Sequence, residues 1–424
     1  MKDKLLLKKD LKVYIFFGLS ALFTLLFIIP VMFRLSGFEN QFRLFFRDGR
    51  DFMADLYNVC FYSEGFDPYH LTENGLLEKA YFPISYVFCG ILSRFMLFNG
   101  YNGSVRSLGT FEILGGVIFM SFMMAALAVC IYAGIKGKVS RKVIAVILLL
   151  STGPCIYTIE RGNLIFFSVI GSMIFLLTYR SEDRKLREFG YIMLAVAAAF
   201  KGFPAMLGIL LVYEKRWKEA LRLVIYGILF AFVPFLFLKG GFSSIPQWLS
   251  NMKENTDYYI LRGGDTAGYK FFILNITKRS TGEYLKVIKA SRAVIYAVAV
   301  LSMCGAYFIK KEWIRVLLIV TLMMMIPDNN AYYSLMYAIP AAVVLLNDED
   351  NGIWITVSLA LLAVVLMLWR IPSPKIYYKA QNSVFMSNTA LLLLFGGVCA
   401  YSIYSGITGI ISMSSKKKGK VKVS

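Results

Sequence analysis

Long apolar runs recur from one end of the chain to the other, and the polar positions gather between them. A helix needs about 20 apolar residues to cross about 30 Å of hydrocarbon, so these runs read as membrane-spanning helices. A β-barrel would show short alternating segments instead. The expected fold is therefore an all-α polytopic membrane protein. The pattern predicts twelve spans, at about 12–33, 110–135, 143–159, 163–180, 187–201, 203–214, 219–238, 287–309, 313–327, 331–346, 352–369 and 388–412. One further run, Ile84 to Phe98, holds Arg94 and would invert the topology if it spanned. It is expected to lie in the interface or to re-enter it.

Charge sets the orientation. Lysines and arginines cluster at both termini and at Lys136 to Lys142, Arg180 to Arg187, Lys215 to Arg222 and Lys310 to Arg315. The positive-inside rule makes these ends cytosolic, and two cytosolic termini require an even number of spans. The acidic turn Asn347 to Asn351 becomes cytosolic by counting. The outer side then holds the loops 34–109, 239–286 and 370–387, with turns at Glu160 to Asn163, Lys201-Gly202 and Pro327 to Asn330. The N-terminal run reads as an uncleaved signal anchor, and the expected location is a bacterial plasma membrane.

Composition agrees: 58% of the 424 residues are hydrophobic and 17% charged, against about 25% charged in soluble domains. Mean hydropathy is +0.62. The net charge of +20 does not imply nucleic acid, because the cations stand beside helix ends. The partner they imply is the bilayer, with the tail Lys416-Lys417-Lys418-Gly419-Lys420 against anionic lipid. Of six cysteines, Cys130, Cys155, Cys304 and Cys399 lie in apolar segments and read as small core residues. Cys60 and Cys89 fall in or near the first outer loop, so one disulfide could form there, though nothing in the spacing supports it.

The acids are unevenly placed. Eight of the 26 lie between Arg34 and Phe82, around Asp48-Gly49-Arg50-Asp51-Phe52-Met53-Ala54-Asp55. A carboxylate in a partly dry cavity serves as a general base. Asp48, Asp51 and Asp55 recur at three and four residues, so a helix here would present all three on one face. Arg47 and Arg50 would help keep them ionised. A solvated loop helix with local ion pairs is the competing reading. Next come Gly65-Phe66-Asp67-Pro68-Tyr69-His70, with the chain's single histidine, and Tyr81-Phe82-Pro83, whose proline suits the first turn of a helix.

Two cations at outer helix ends stand out. Arg161, in Glu160-Arg161-Gly162-Asn163, could bind a phosphate or a carboxylate, or simply snorkel at the interface. Gly162 and Asn163 suit a tight turn into the next helix. Lys201, between two apolar runs, is costly unless it faces a wet cavity or an anion. There is no Gly-Lys-Ser/Thr phosphate loop and no zinc spacing, so neither ATP nor a metal is indicated. An all-carboxylate divalent site in the outer loop has no spacing to require it. Asp348-Glu349-Asp350 looks like a nucleotide-sugar motif but sits in a short turn with no attached domain.

The order of these features resembles the GT-C membrane glycosyltransferases, in particular glycosyltransferase family 87, which includes polyprenyl-phosphate-mannose-dependent mannosyltransferases. The resemblance rests on Asp51-Phe52, Gly65-Phe66-Asp67-Pro68-Tyr69, Tyr81-Phe82-Pro83, Arg161-Gly162-Asn163, Ala199-Phe200-Lys201-Gly202-Phe203-Pro204 and Lys215-Arg216-Trp217, and covers about residues 12 to 345. It implies a module over 1–238 whose first outer loop carries juxtamembrane helices and the catalytic base, an outer loop over 239–286, and a variable five-helix module over 287–424. It implies a polyprenyl-phosphate sugar donor and an acceptor hydroxyl on a glycolipid, an envelope glycan or a protein, with no cofactor. Asp51 occupies the place of the base, with Asp48 and Asp55 as competitors. Arg161 and Lys201 would face the donor phosphate. Asn163, Asp67, Tyr69 and His70 complete the substrate-binding candidates. The chain departs from the pattern at Phe82-Pro83, where two prolines are common, and at Asn163, where Gln is common nearby. A transporter or flippase for a lipid-linked or polar solute is the alternative. It would place ionisable groups near mid-membrane on broken helices, and the chain shows no internal repeat. A non-catalytic subunit is the third reading.

Overall fold

The computed structural model describes residues 2–32, 52–70, 79–98, 108–261, 266–276, 281–328, 330–367 and 382–421. Regular structure among them is helical, apart from an isolated antiparallel bridge between Thr266 and Ala331. The α-helices in chain order are α1 (Lys2–Met32), α2 (Ala54–Ser63), α3 (Pro83–Phe95), α4 (Thr110–Gly134), α5 (Val139–Leu150), α6 (Gly153–Arg161), α7 (Ile165–Thr178), α8 (Arg184–Phe200), α9 (Ile209–Tyr213), α10 (Trp217–Phe232), α11 (Ile245–Leu261), α12 (Tyr269–Ile276), α13 (Thr281–Ala306), α14 (Glu312–Met325), α15 (Ala338–Asn347), α16 (Ile353–Val365) and α17 (Asn382–Val421).

Each of the twelve expected spans contains helix, but the lengths are unequal. Five stretches are long and apolar enough to cross a membrane: Leu11–Ile29, Thr110–Gly134, Trp217–Phe237, Lys286–Ala306 and Val384–Met413. The pair α5–α6 adds a sixth if it counts as one span, bent by 56°. The bend falls where Thr152 turns its hydroxyl onto Leu149 O at 2.9 Å and Pro154 enters the first turn of α6. Proline has no N–H to continue the ladder. Of the other expected spans, α7 and α14 have 14 residues each, α16 has 13 and α8 has 17. At 1.5 Å per residue a 14-residue helix covers about 21 Å, short of the hydrocarbon thickness. Two others open as 3-10 turns, Phe203–Gly208 and Tyr332–Tyr337, before becoming α9 and α15.

The long helices are peripheral and the short ones central. Helix α14 is buried from Trp313 to Met325, and α15 is nearly as enclosed. In contrast, α4 exposes Leu114, Ile118 and Phe122, and α10 exposes Leu221, Ile225 and Ile228. Such apolar faces suit lipid rather than water. Cys304, expected in the core, is exposed, because α13 turns part of its apolar surface outward. Cys155 and Cys399 are buried and Cys130 half-buried.

The turns sort to two ends. At one, Lys12 donates to Asp350 O at 2.7 Å, Lys311 meets Asp350 at 2.6 Å, and Arg141 reaches Leu346 O at 2.7 Å. Arg180 there bridges Glu214 and Glu312, and Arg216 donates to Tyr179 O at 2.6 Å. The basic turns and the acidic turn read as cytosolic thus share one end, joined by mutual contacts. At the other end, Lys239 N–H donates to Phe66 O at 2.7 Å and Met53 N–H to Glu160 O at 2.6 Å, so the second long outer loop meets the first, and the first meets the end of α6. Helix α3, with 13 residues and Pro83 in its first turn, is too short to span. It packs on α2 and exposes Ile91 and Phe95, as an interfacial helix does.

Candidate functional site

The site is built where α2, the α6–α7 turn and the end of α8 converge. Helix α2 starts abruptly: Met53 adopts a left-handed backbone, φ 52°, as its N-cap. A continuous helix through Asp48, Asp51 and Asp55 is therefore interrupted at residue 53. Asp48 and Asp51 themselves lie outside the described residues. Asp55 sits in the first turn of α2 and is buried.

Arg161 is the last residue of α6. Gly162 follows in the left-handed region, φ 64°, and its N–H returns to Ile159 O at 3.0 Å, while Asn163 N–H returns to Thr158 O at 3.0 Å. This is the Schellman arrangement that glycine favours. The expected tight turn is present, and glycine is needed here for a second reason. A Cβ at 162 would lie 2.9 Å from Leu56 Cβ and 3.0 Å from Met53 Cα.

That close approach brings the two segments into direct contact. Arg161 Nε donates to Asp55 Oδ1 at 3.1 Å, and its Nη2 bonds the same oxygen. Asn163 Nδ2 donates to the other oxygen, Oδ2, at 2.6 Å, while Asn163 Oδ1 accepts from Ile165 N–H at 3.0 Å at the start of α7. Both carboxylate oxygens of Asp55 thus have donors from the turn. Arg161 and Asp55 side chains are 23% and 8% exposed, so the pair is poorly screened by water.

Lys201 caps the C-terminal end of α8 and is half-buried. Its Nζ lies 3.4 Å from Tyr81 Oη, 4.4 Å from the Tyr81 ring centre and 5.6 Å from that of Tyr333. Tyr333 in turn stacks on Tyr157 at 6.2 Å and 17°. Tyr157 stands one helical turn before Arg161, so an aromatic bridge joins the neighbourhoods of the two cations. Tyr157 and Tyr333 were not singled out by sequence. The i, i+4 spacing of Tyr157 and Arg161 was the available signal; Tyr333 offered only its nearness to an outer turn.

The remaining candidates form the scaffold of the loop. Asp67 meets His70 Nδ1 at 2.6 Å and Lys239 Nζ at 3.7 Å, tying the two outer loops together, and His70 is exposed. Neither is joined to Arg161 or Lys201 by a described contact. Tyr69 is buried, and burial raises its phenol pKa, so it stays a neutral donor. Its hydroxyl donates to Tyr81 O at 3.1 Å, bracing the residue that faces Lys201. Asn251 on α11 holds Tyr69 O and Lys79 O at 3.0 and 3.2 Å.

A second polar cluster forms around Asp328. Asp328 accepts from the Tyr269 hydroxyl and pairs with Arg292 at 2.8 Å, and Lys270 donates to Asp328 O at 2.9 Å. Burial lowers the Lys270 pKa to about 8; Asp328 partly offsets this and Arg292 adds to it. Among the described residues no group of three or more His, Cys, Asp or Glu side chains is arranged to hold a metal.

A linked carboxylate, two basic side chains and tyrosines at one end of a lipid-facing helical bundle suit an anionic, hydroxyl-rich substrate. No curated protein matches the chain. The family model described as glycosyltransferase family 87 matches residues 106–327, more than half of the 424 residues. The matched stretch contains Arg161, Asn163 and Lys201 and begins after the acidic stretch Arg34 to Phe82, near the end of the first outer loop. The family implies transfer of a sugar, and with its long apolar helices this membrane protein belongs to glycosyltransferase family 87.

Proposed function

We propose that the chain transfers a sugar, mannose or another hexose or pentose, from a polyprenyl-phosphate donor to an acceptor hydroxyl at the extracytoplasmic face. The observation that carries this reading is the clamp of Asp55 by Arg161 and Asn163. It holds the start of α2, at the residue four positions after Asp51, against a partly buried cation at a helix end.

The roles follow from the chemistry of each group. An alcohol is a weak nucleophile until a carboxylate takes its proton. Asp55 already has donors on both oxygens, so Asp51 is assigned as base and Asp55 as the residue that orients Arg161. Asp48 is the remaining competitor. The leaving group is a phosphate anion that needs little acid assistance. Arg161 and Lys201 stabilise the charge that grows on it, acting more on the transition state than on the ground state. One carboxylate at the anomeric centre gives a single displacement with inversion. No cofactor enters this scheme. The lipid carrier reaches the site along the bilayer-facing surface, and the acceptor is a glycolipid, an envelope glycan or a protein.

The bent α5–α6 pair and the 3-10 openings of two apolar segments are what a transporter would also use. Sugar-transfer assays separate the readings. Membranes are supplied with radiolabelled polyprenyl-phosphate sugars, and wild type is compared with Asp51→Asn. Transfer from one donor that the variant loses supports the reading. Near wild-type transfer by Asp51→Asn, with Asp48→Asn inactive, moves the base to Asp48. No transfer from any donor by folded protein with natural acceptors favours solute transport.

A further inference from the structure

Two thiols of the outer-loop module take no part in the proposed reaction. Cys60 on α2 and Cys89 on α3 are both fully buried free thiols on two helices packed against each other, and Cys60 is among the neighbours that raise the Cys89 pKa. The helices approach closely at this point. Ser63 Cβ, one turn beyond Cys60, lies 3.5 Å from where a side chain at Gly90, next to Cys89, would begin. The segment between the two cysteines carries Asp67, Tyr69, His70 and Tyr81, including the ring that faces Lys201.

We propose that Cys60 and Cys89 are a disulfide-forming pair that closes this segment of the outer loop into a covalent ring. The inference rests on the outward orientation of the loop under the proposed function, because disulfides persist in oxidising compartments. The two thiols give up two protons and two electrons as the sulfur–sulfur bond forms. The acceptor is the disulfide of an extracytoplasmic protein or small molecule, which leaves as two thiols by exchange.

Timing follows from burial. Burial, together with the contact with Cys60, pushes the Cys89 thiol pKa well up, and the thiolate is the attacking species. Within the closed fold Cys89 is therefore a poor attacking group, and burial shields both sulfurs from reagents. The bond forms while α2 and α3 are still docking, and afterwards it is shielded from reductant. It is a structural ring closure rather than a reversible switch. Its benefit is a narrower unfolded ensemble for a loop that must hold Tyr81 and the start of α2 in register.

The test uses the full chain in native membranes. Cells are quenched in acid, and the protein is denatured in N-ethylmaleimide without reductant and digested for mass spectrometry. The Cys60 and Cys89 peptides are expected joined, lighter by two hydrogens than the sum of the free thiols. Cys155, whose sulfur meets Met124 Sδ at 3.6 Å, is expected to carry maleimide. Recovery of Cys60 and Cys89 both largely maleimide-blocked overturns the proposal. Ser243→Cys, at an exposed position of the second outer loop, reports the side through an impermeant maleimide on intact cells, read against the parent chain. Labelled Ser243→Cys with free Cys60 and Cys89 sinks the disulfide and leaves the sugar-transfer reading standing. Unlabelled Ser243→Cys removes the outward orientation, and the disulfide proposal falls with it.

Discussion

Replacing Asp55 by Asn tests whether the clamp is energetic as well as geometric. The substitution keeps the shape of the side chain and removes the charge that receives Arg161 Nε and Nη2 on one oxygen and Asn163 on the other. Breaking a buried ion pair by removing one partner costs about 3–5 kcal/mol. Asn retains one acceptor oxygen, and Arg161 is 23% exposed, so water recovers part of the loss. The expected cost is about 2–3 kcal/mol. If that energy holds Arg161 on the developing phosphate charge, kcat/KM falls by about 30- to 150-fold. The assay is a double-mutant cycle of Asp55→Asn, Arg161→Gln and both, measured as sugar transfer in detergent micelles. Arg161→Gln alone is expected to lose more, because it also removes the proposed contact with the donor phosphate. The double variant is expected to lose little beyond Arg161→Gln, which corresponds to a coupling of about 2 kcal/mol. Losses that add within about 0.5 kcal/mol would refute the argument, as would an Asp55→Asn enzyme with full activity.

Three further outcomes are expected. Gly162→Ala forces a side chain into a left-handed turn and against Met53 and Leu56, which should cost about 2–4 kcal/mol; a melting temperature equal to wild type refutes the close approach. Lys201→Met should lower kcat by about a hundredfold or more, while Tyr333→Leu, which removes only one ring beside the ammonium, should cost about tenfold or less; reversal of that order in steady-state kinetics refutes the roles. Lys270 has its pKa lowered to about 8 by burial, so the unfolded chain holds the proton more tightly, stability rises as pH increases from about 8 to the ordinary lysine value near 10.4, and below pH 8 the full penalty of about 3 kcal/mol applies. Lys270→Met should flatten that rise in melting temperature, and an unchanged slope would show that Lys270 is not the titrating group.

Much of this architecture was legible because lipid imposes a one-dimensional constraint. Every backbone polar group in the membrane must be satisfied within its own segment, so apolar runs become helices wherever they occur. The basic turns at Lys136, Arg180 and Lys310 were readable for the same reason, and they meet at one end through Arg141, Arg180 and Lys311. Span length was less legible. Pro154 and Pro204 sit inside apolar runs that hydropathy reads as continuous, yet α6 bends away from α5 at the first, and a 3-10 turn opens at the second. Cys304 was misplaced because an apolar helix does not declare which of its faces meets protein and which meets lipid.

Candidate residues divide along the same line. Sequence by itself determined a helical membrane protein, an acidic loop beside a first helix, and two cations, Arg161 and Lys201, stranded at helix ends where charge needs a reason. Motif order was sufficient to point to a glycosyltransferase family. Only the tertiary structure decided that Arg161 and Asn163 take opposite oxygens of Asp55, that Tyr81 and Tyr333 hold Lys201, and that Cys60 and Cys89 are buried on two packed helices. The partners of each of these contacts lie on different segments of the chain, up to 132 positions apart. Hydropathy and local spacing govern each helix separately, whereas which side chains share one end of a bundle depends on how the helices pack.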